Sequence, residues 1–259
     1  MRYGRLAAHM SETDSAVQSA APRVLVIPGL DGSTELWRSV ATTVLPGLRP
    51  LWFDHSMDRA TDGLGGLARR ALAVLDADTD HAAPAYICGE SFGGPVALTL
   101  ARQHPDRVRG LVLISTFGRY PRRVNVRMGL AAARVLGNRL SRRVLELSHP
   151  LTAPGALGLD APPHVTRAYL RRPLGDIGAY RAKCELTLHF DARPWLHEIR
   201  THTVVLAGAS DPVVPLATSQ RLARSLPGAR FHAMTGGHLS WLVRPAEVGA
   251  LVDDWLRLT

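Results

Sequence analysis

Gly89-Glu90-Ser91-Phe92-Gly93-Gly94 constrains this 259-residue chain more than any other stretch. The six residues fit G-x-S-x-G, a pattern that lifts a serine onto a sharp turn between a strand and a helix. The flanks supply both elements. Ala85-Tyr86-Ile87-Cys88 is a short apolar run suited to a buried strand. Pro95 to His104 reads as a helix, with Pro95 in the first turn, where a missing N–H costs little. The glycines have a steric reason. Side chains two residues before and after the serine would collide across the turn, and the serine itself takes a strained backbone conformation.

A serine hydroxyl is a poor nucleophile until a base takes its proton and a third group orients that base. Thr203-Val204-Val205-Leu206-Ala207 reads as a buried strand, and Asp211 follows on the turn Gly208 to Pro215. Arg230 to Met234 reads as a further short strand, and Thr235-Gly236-Gly237-His238 follows in a loop. Taken singly, Asp211 before Pro212 is an ordinary turn builder and His238 an ordinary loop residue. Taken together, after strands and after the serine, they are the candidate acid and base.

Other candidates fit less well. His232 lies within a strand and should point into the sheet's packing, and His104 caps a helix end. His55 follows a strand but precedes the serine. His189, His197 and His202 cluster without metal-ligand spacing. Asp191 is the rival acid. For an oxyanion hole, Phe92 after the serine offers one backbone N–H, and the loop Pro28-Gly29-Leu30-Asp31-Gly32-Ser33 offers the other. Leu30 is the expected second donor, with Asp31 as the alternative.

On these motifs the chain resembles the α/β-hydrolase superfamily from about residue 22 to the C-terminus. The pair PGLDGS and GESFGG is similar to the esterase and acyltransferase group that includes the plant phytyl ester synthase-like proteins. Pro28 stands where a histidine often precedes the oxyanion glycine, so any role of that histidine is absent while the backbone donors survive. The resemblance implies the order serine, acid, histidine along the chain, matching Ser91, Asp211 and His238.

Strands read at about 23–28, 50–54, 84–89, 108–115, 202–208 and 229–234, with helices between most of them, the pattern of an α/β fold with a mostly parallel sheet. The expected core is 22–116 with 197–259, about six strands with helices on both faces. Residues 117–196 break the alternation with helical patterns at 126–147 and 163–170 around a Pro/Gly-rich turn at 150–163. By the resemblance, this insertion is a helical lid over Ser91, with apolar side chains inward and arginines outward. Residues 1–21 read as a disordered tail, with Met10 a candidate true start.

Net charge is +9, carried by thirty arginines and a single lysine, Lys183. Thirteen arginines fall between Arg119 and Arg193. Such a surface suits an acidic acyl-carrier protein or another anionic surface, although solvated helix faces and a GC-rich genome's composition explain it more simply. Nucleic-acid binding is not expected. Cys88 and Cys184 make no disulfide framework, no run suits a membrane span, and no signal peptide is evident, so a cytoplasmic setting is expected. No cofactor or metal is expected.

The expected function is hydrolysis of carboxylic esters through an acyl-enzyme on Ser91, the substrate being a small-molecule ester. Acyl transfer or thioester cleavage on a carrier-bound acyl group is the alternative, because the same three residues serve either chemistry. Carbon–carbon bond hydrolysis also fits them, and a catalytically inert binding module fits poorly. Dehalogenation through a covalent carboxylate ester would need an acid at position 91.

Overall fold

A computed structural model describes residues 21–80, 83–172 and 175–258. The tail expected over residues 1–21, and the start at Met10, lie outside the described residues apart from Ala21. Among the described residues six strands form one sheet: β1 (Arg23–Ile27), β2 (Arg49–Trp52), β3 (Ala85–Glu90), β4 (Val108–Ile114), β5 (His202–Gly208) and β6 (Arg230–Met234). Their order is β2-β1-β3-β4-β5-β6, and every neighbouring pair runs parallel.

A parallel sheet needs helices on both faces, so its inner strands are apolar on both sides. β1 and β3 are buried along their whole length. Leu25, Ile27, Ile87, Leu113 and Val205 point to one layer, formed by α3 (Gly63–Asp76), α4 (Gly93–Gln103) and α8 (Leu216–Ser225). Val24, Val26, Cys88, Val112 and Leu206 point to the other. That layer holds Trp37 of α1 (Glu35–Arg38), Val44 of α2 (Ala41–Val44) and Trp255 of α10 (Pro245–Leu256), while α9 (Ser240–Val243) adds Trp241, stacked on Trp37 at 4.0 Å.

Chain order reverses between β1 and β3: β2 lies outside β1 on one side, and β4 to β6 follow β3 on the other. The loops leaving β1 and β3 therefore diverge and open a crevice at the carboxyl ends of the strands, the usual ligand position in open α/β sheets. Ser91 and the loop Pro28–Ser33 flank that crevice.

Between β4 and β5 the chain leaves the sheet as α5 (Arg123–Leu157), α6 (Pro163–Arg171) and α7 (Ile177–His189). The two ends of this excursion are tied together. Ala192 N–H donates to the Gly118 carbonyl at 2.7 Å, and Arg119 pairs with Asp191 in a short antiparallel bridge.

α5 differs from the sequence expectation in three ways. It breaks at Gly137, whose φ of +69° suits glycine best. It then continues past Leu147 through Pro150 and Pro154, where a turn was expected. Packing overrides the proline signal here: Ala153, Ala156 and Leu157 are buried with Leu239 and Trp241, and Leu239 N–H donates to the Ala156 carbonyl at 2.8 Å. Finally, apolar side chains do not all turn inward. Val124, Met128, Val135, Leu147 and Leu151 are exposed together with the arginines.

Candidate active site

Ser91 occupies the turn between β3 and α4 with φ of +51°, in the left-handed region that a non-glycine residue enters only at a cost. The turn is held from several sides. Ser91 N–H donates to the Ile114 carbonyl at 2.9 Å, and the Ser91 carbonyl accepts from Gly94 N–H at 3.1 Å and from the Thr116 hydroxyl at 2.6 Å. Glycine is required around it. A Cβ at Gly93 would sit 2.0 Å from the Ile27 carbonyl oxygen, and one at Gly94 would sit 2.0 Å from Thr116 Oγ1. At Gly89 it would meet the Gly93 carbonyl at 2.8 Å, the cross-turn collision expected from the motif.

The loops after β5 and β6 bring Asp211 and His238 to the same point. His238 Nε2 lies 3.0 Å from Ser91 Oγ, and Nδ1 lies 2.7 Å from Asp211 Oδ2. The carboxylate fixes the tautomer: Nδ1 carries the proton and Nε2 is left as the acceptor facing the serine. The other Asp211 oxygen accepts from the N–H groups of Val213 at 2.7 Å and Val214 at 2.9 Å, so the acid is locked in orientation. All three side chains are buried. Burial works against a charged His238. The hydrogen bond and charge of Asp211, joined by the charge of Glu90, outweigh it and raise the imidazole pKa above its usual value.

Asp191, His232 and His202 lie elsewhere. Asp191 pairs with Arg193 and Arg119 at the neck of the excursion, and His232 sits half-buried in β6. His202 stacks on Trp255 at the amino end of β5, away from Ser91. Leu30 and Phe92 both border the crevice beside Ser91. Neither backbone N–H has a hydrogen-bond partner among the described residues, which leaves both available to a ligand oxygen.

A cavity of about 890 Å³ opens over Ser91. Its floor is Leu30, Phe92 and Leu239, and its walls include Leu130, Leu145, Tyr169 and Ile177 from the excursion. Arg172 at the end of α6 bonds Asp31 at 3.0 Å, linking the excursion to the Pro28–Ser33 loop.

Sequence reading missed a second link under that loop. Lys183 of α7 is fully buried and donates to the His55 carbonyl at 2.9 Å, with Nζ also 3.3 Å from His55 Nδ1. His55 Nε2 lies 3.2 Å from the Pro28 carbonyl, so the imidazole donates there and accepts from Lys183 as a neutral ring. Burial, then the Lys183 charge, depresses the His55 pKa to about 4, and burial lowers Lys183 to about 8. The unfolded chain therefore binds a proton at Lys183 between pH about 8 and 10.5 that the folded chain has released. Stability should rise with pH across that window. Lys183→Met should flatten the Tm against pH curve there, and an unchanged slope would assign the titration to another group.

Residues 68–237 match the hydrolase family described as serine aminopeptidase, S33. The chain belongs to that family of α/β-hydrolases. This serine hydrolase is 31% identical to a pimeloyl-[acyl-carrier protein] methyl ester esterase of Aromatoleum aromaticum, over 91% of the chain and 98% of the relative. It is 27% identical to a poly(3-hydroxyalkanoate) depolymerase of Ectopseudomonas oleovorans, over 94% and 88%. Its fold matches that of an enol-lactonase from Burkholderia xenovorans with a TM-score of 0.78 at 23% identity, covering 92% of each chain. Among the described residues no helix of the hydrolase is long and apolar enough to cross a membrane, and no cluster of side chains suits a metal ion.

Proposed function

We propose that this hydrolase cleaves carboxylic esters through an acyl-enzyme on Ser91. The observation that carries the reading is the continuous line from Asp211 through His238 to Ser91 at 2.7 and 3.0 Å, beneath an apolar cavity. Ser91 Oγ attacks the ester carbonyl as its proton passes to His238 Nε2. Asp211 stabilises the imidazolium that results. The carbonyl oxygen, now an oxyanion, accepts from the N–H groups of Leu30 and Phe92. His238 returns its proton to the leaving alcohol, then takes one from water as that water attacks the acyl-enzyme, and passes it to Ser91 Oγ as the carboxylic acid leaves. Residues 117–196 act as a lid whose apolar walls receive the acyl chain and exclude water. A panel of p-nitrophenyl esters of increasing chain length tests this. Turnover should rise to medium chains, whereas no turnover of any ester would sink the reading.

A second reading keeps the chemistry and changes the acyl donor to a chain held on an acidic carrier protein. It is favoured by the exposed Arg127, Arg139 and Arg143 of α5, on the excursion that walls the cavity, and by the carrier-borne ester in the relative's name. Arg122 is a poor probe of this idea, because it donates to the Pro212 carbonyl beside Asp211. With an acyl-carrier ester, apparent KM should climb steeply with salt, since charges beyond the Debye length, about 8 Å at physiological ionic strength, are screened. A small neutral ester should barely respond. Arg139→Glu with Arg143→Glu should weaken only the carrier substrate, and equal salt responses for both substrates would remove this second reading.

A further inference from the structure

Glu90 is the charged side chain of β3, and no step above uses it. It is 4% exposed. Its Oε1 lies 3.7 Å from His238 Nε2, the nitrogen that also faces Ser91. Its Oε2 packs on the oxyanion loop so closely that a Cβ at Gly29 would lie 2.7 Å away, and the nearby Gly29 backbone N–H favours the charged form of the carboxyl group. A carboxyl group buried to this degree is costly unless something uses or satisfies it.

We propose that Glu90 is a positioning residue that braces the oxyanion loop through Gly29 and holds a second negative charge at the Nε2 edge of His238. The inference rests on the Ser91–His238 chemistry above. When the serine proton reaches Nε2, the new N–H faces Glu90 Oε1 as well as the serine oxygen. An opposite charge at that range in a buried site favours the imidazolium. Asp31 from the β1 loop and Asp211 from the β5 loop also face Glu90 and push its proton affinity up, while His238 pulls it down. Cys88, two residues back on β3, is buried and neutral, its pKa raised by burial.

The same charge sets a limit at low pH. Burial carries the Glu90 pKa up to about 7, and the Asp211 hydrogen bond and charge raise that of His238, so the two take up protons as a coupled pair. The first proton to enter that unit comes on at a higher pH than it would on a histidine without Glu90. Whenever that proton rests on His238 Nε2, it occupies the position the serine proton must take. The Glu90 charge therefore moves the acid limb of kcat/KM upward.

The test compares pH profiles of kcat and KM on p-nitrophenyl butyrate for the wild type, Glu90→Gln and Glu90→Ala. Glutamine keeps an acceptor beside the Gly29 N–H but loses the charge. Glu90→Gln should shift the acid limb down by about one pH unit and retain most of the alkaline kcat. Glu90→Ala loses the brace too, so its kcat should fall at every pH with a smaller change in KM. Glu90→Asp, which keeps the charge, should hold the acid limb near the wild-type position and serves if glutamine does not fold. An acid limb unmoved in Glu90→Gln overturns the charge role, and a wild-type kcat in Glu90→Ala overturns the brace. Ser91→Ala run in parallel separates the two levels. Activity surviving there sinks the serine chemistry itself, whereas an inactive Ser91→Ala with an unmoved Glu90→Gln limb sinks only the inference on Glu90.

Discussion

Ser91→Ala is expected to lower kcat by roughly 10³-fold or more and to abolish labelling by a fluorophosphonate, with the fold intact. The reason is that the covalent route goes with the hydroxyl while the Leu30 and Phe92 donors and the cavity remain. On the proposed mechanism those donors and the cavity account for whatever residual rate persists over water. The substitution should be structurally mild. Ser91 is held by its backbone, through the Ile114 carbonyl and the Thr116 hydroxyl, and its hydroxyl hydrogen-bonds with His238 Nε2. Alanine at φ of +51° is no more strained than serine. A folded variant that turns over esters at the wild-type rate would remove Ser91 from the chemistry.

Asp211→Asn should be comparably damaging, with kcat falling by roughly 10⁴-fold. An asparagine can still accept from Val213 and Val214, so the loop should hold. It can no longer demand a proton on His238 Nδ1, and the ring then presents the wrong tautomer to Ser91. Asp191→Asn, which only loosens the pairing with Arg193 and Arg119, should leave kcat within a few-fold. Reversed outcomes would move the acid to the other loop. His238→Ala set against His232→Ala makes the same comparison for the base.

Much of the fold is legible in the sequence because a doubly covered parallel sheet writes each inner strand as an apolar run. β4, β5 and β6 lie within a residue or two of the runs that announce them. The neighbourhood of Ser91, Asp211 and His238 is readable for a related reason. Each follows the carboxyl end of a strand, and in an all-parallel sheet those ends share one edge. The excursion after β4 is much less legible. Its proline-containing helix end is set by the packing of Ala153, Ala156 and Leu157 on Leu239 and Trp241, contacts more than eighty residues away in sequence. The buried ionisable groups are hidden for the same cause. Lys183 looks like any helix-surface lysine until α7 is docked over His55. Glu90 does leave one trace, a carboxylate ending an otherwise apolar strand. Its partners, Gly29 and His238, lie 61 residues before it and 148 after it.

The central claim is that Ser91 carries the acyl group, and the most direct measurement is mass spectrometry of the protein quenched during turnover of a slow ester. Peptide mapping should place the acyl mass on the peptide bearing Ser91, and a fluorophosphonate should add its own mass to the same residue. An adduct on any other residue, or steady turnover with no adduct trapped and no fluorophosphonate labelling, would contradict the mechanism.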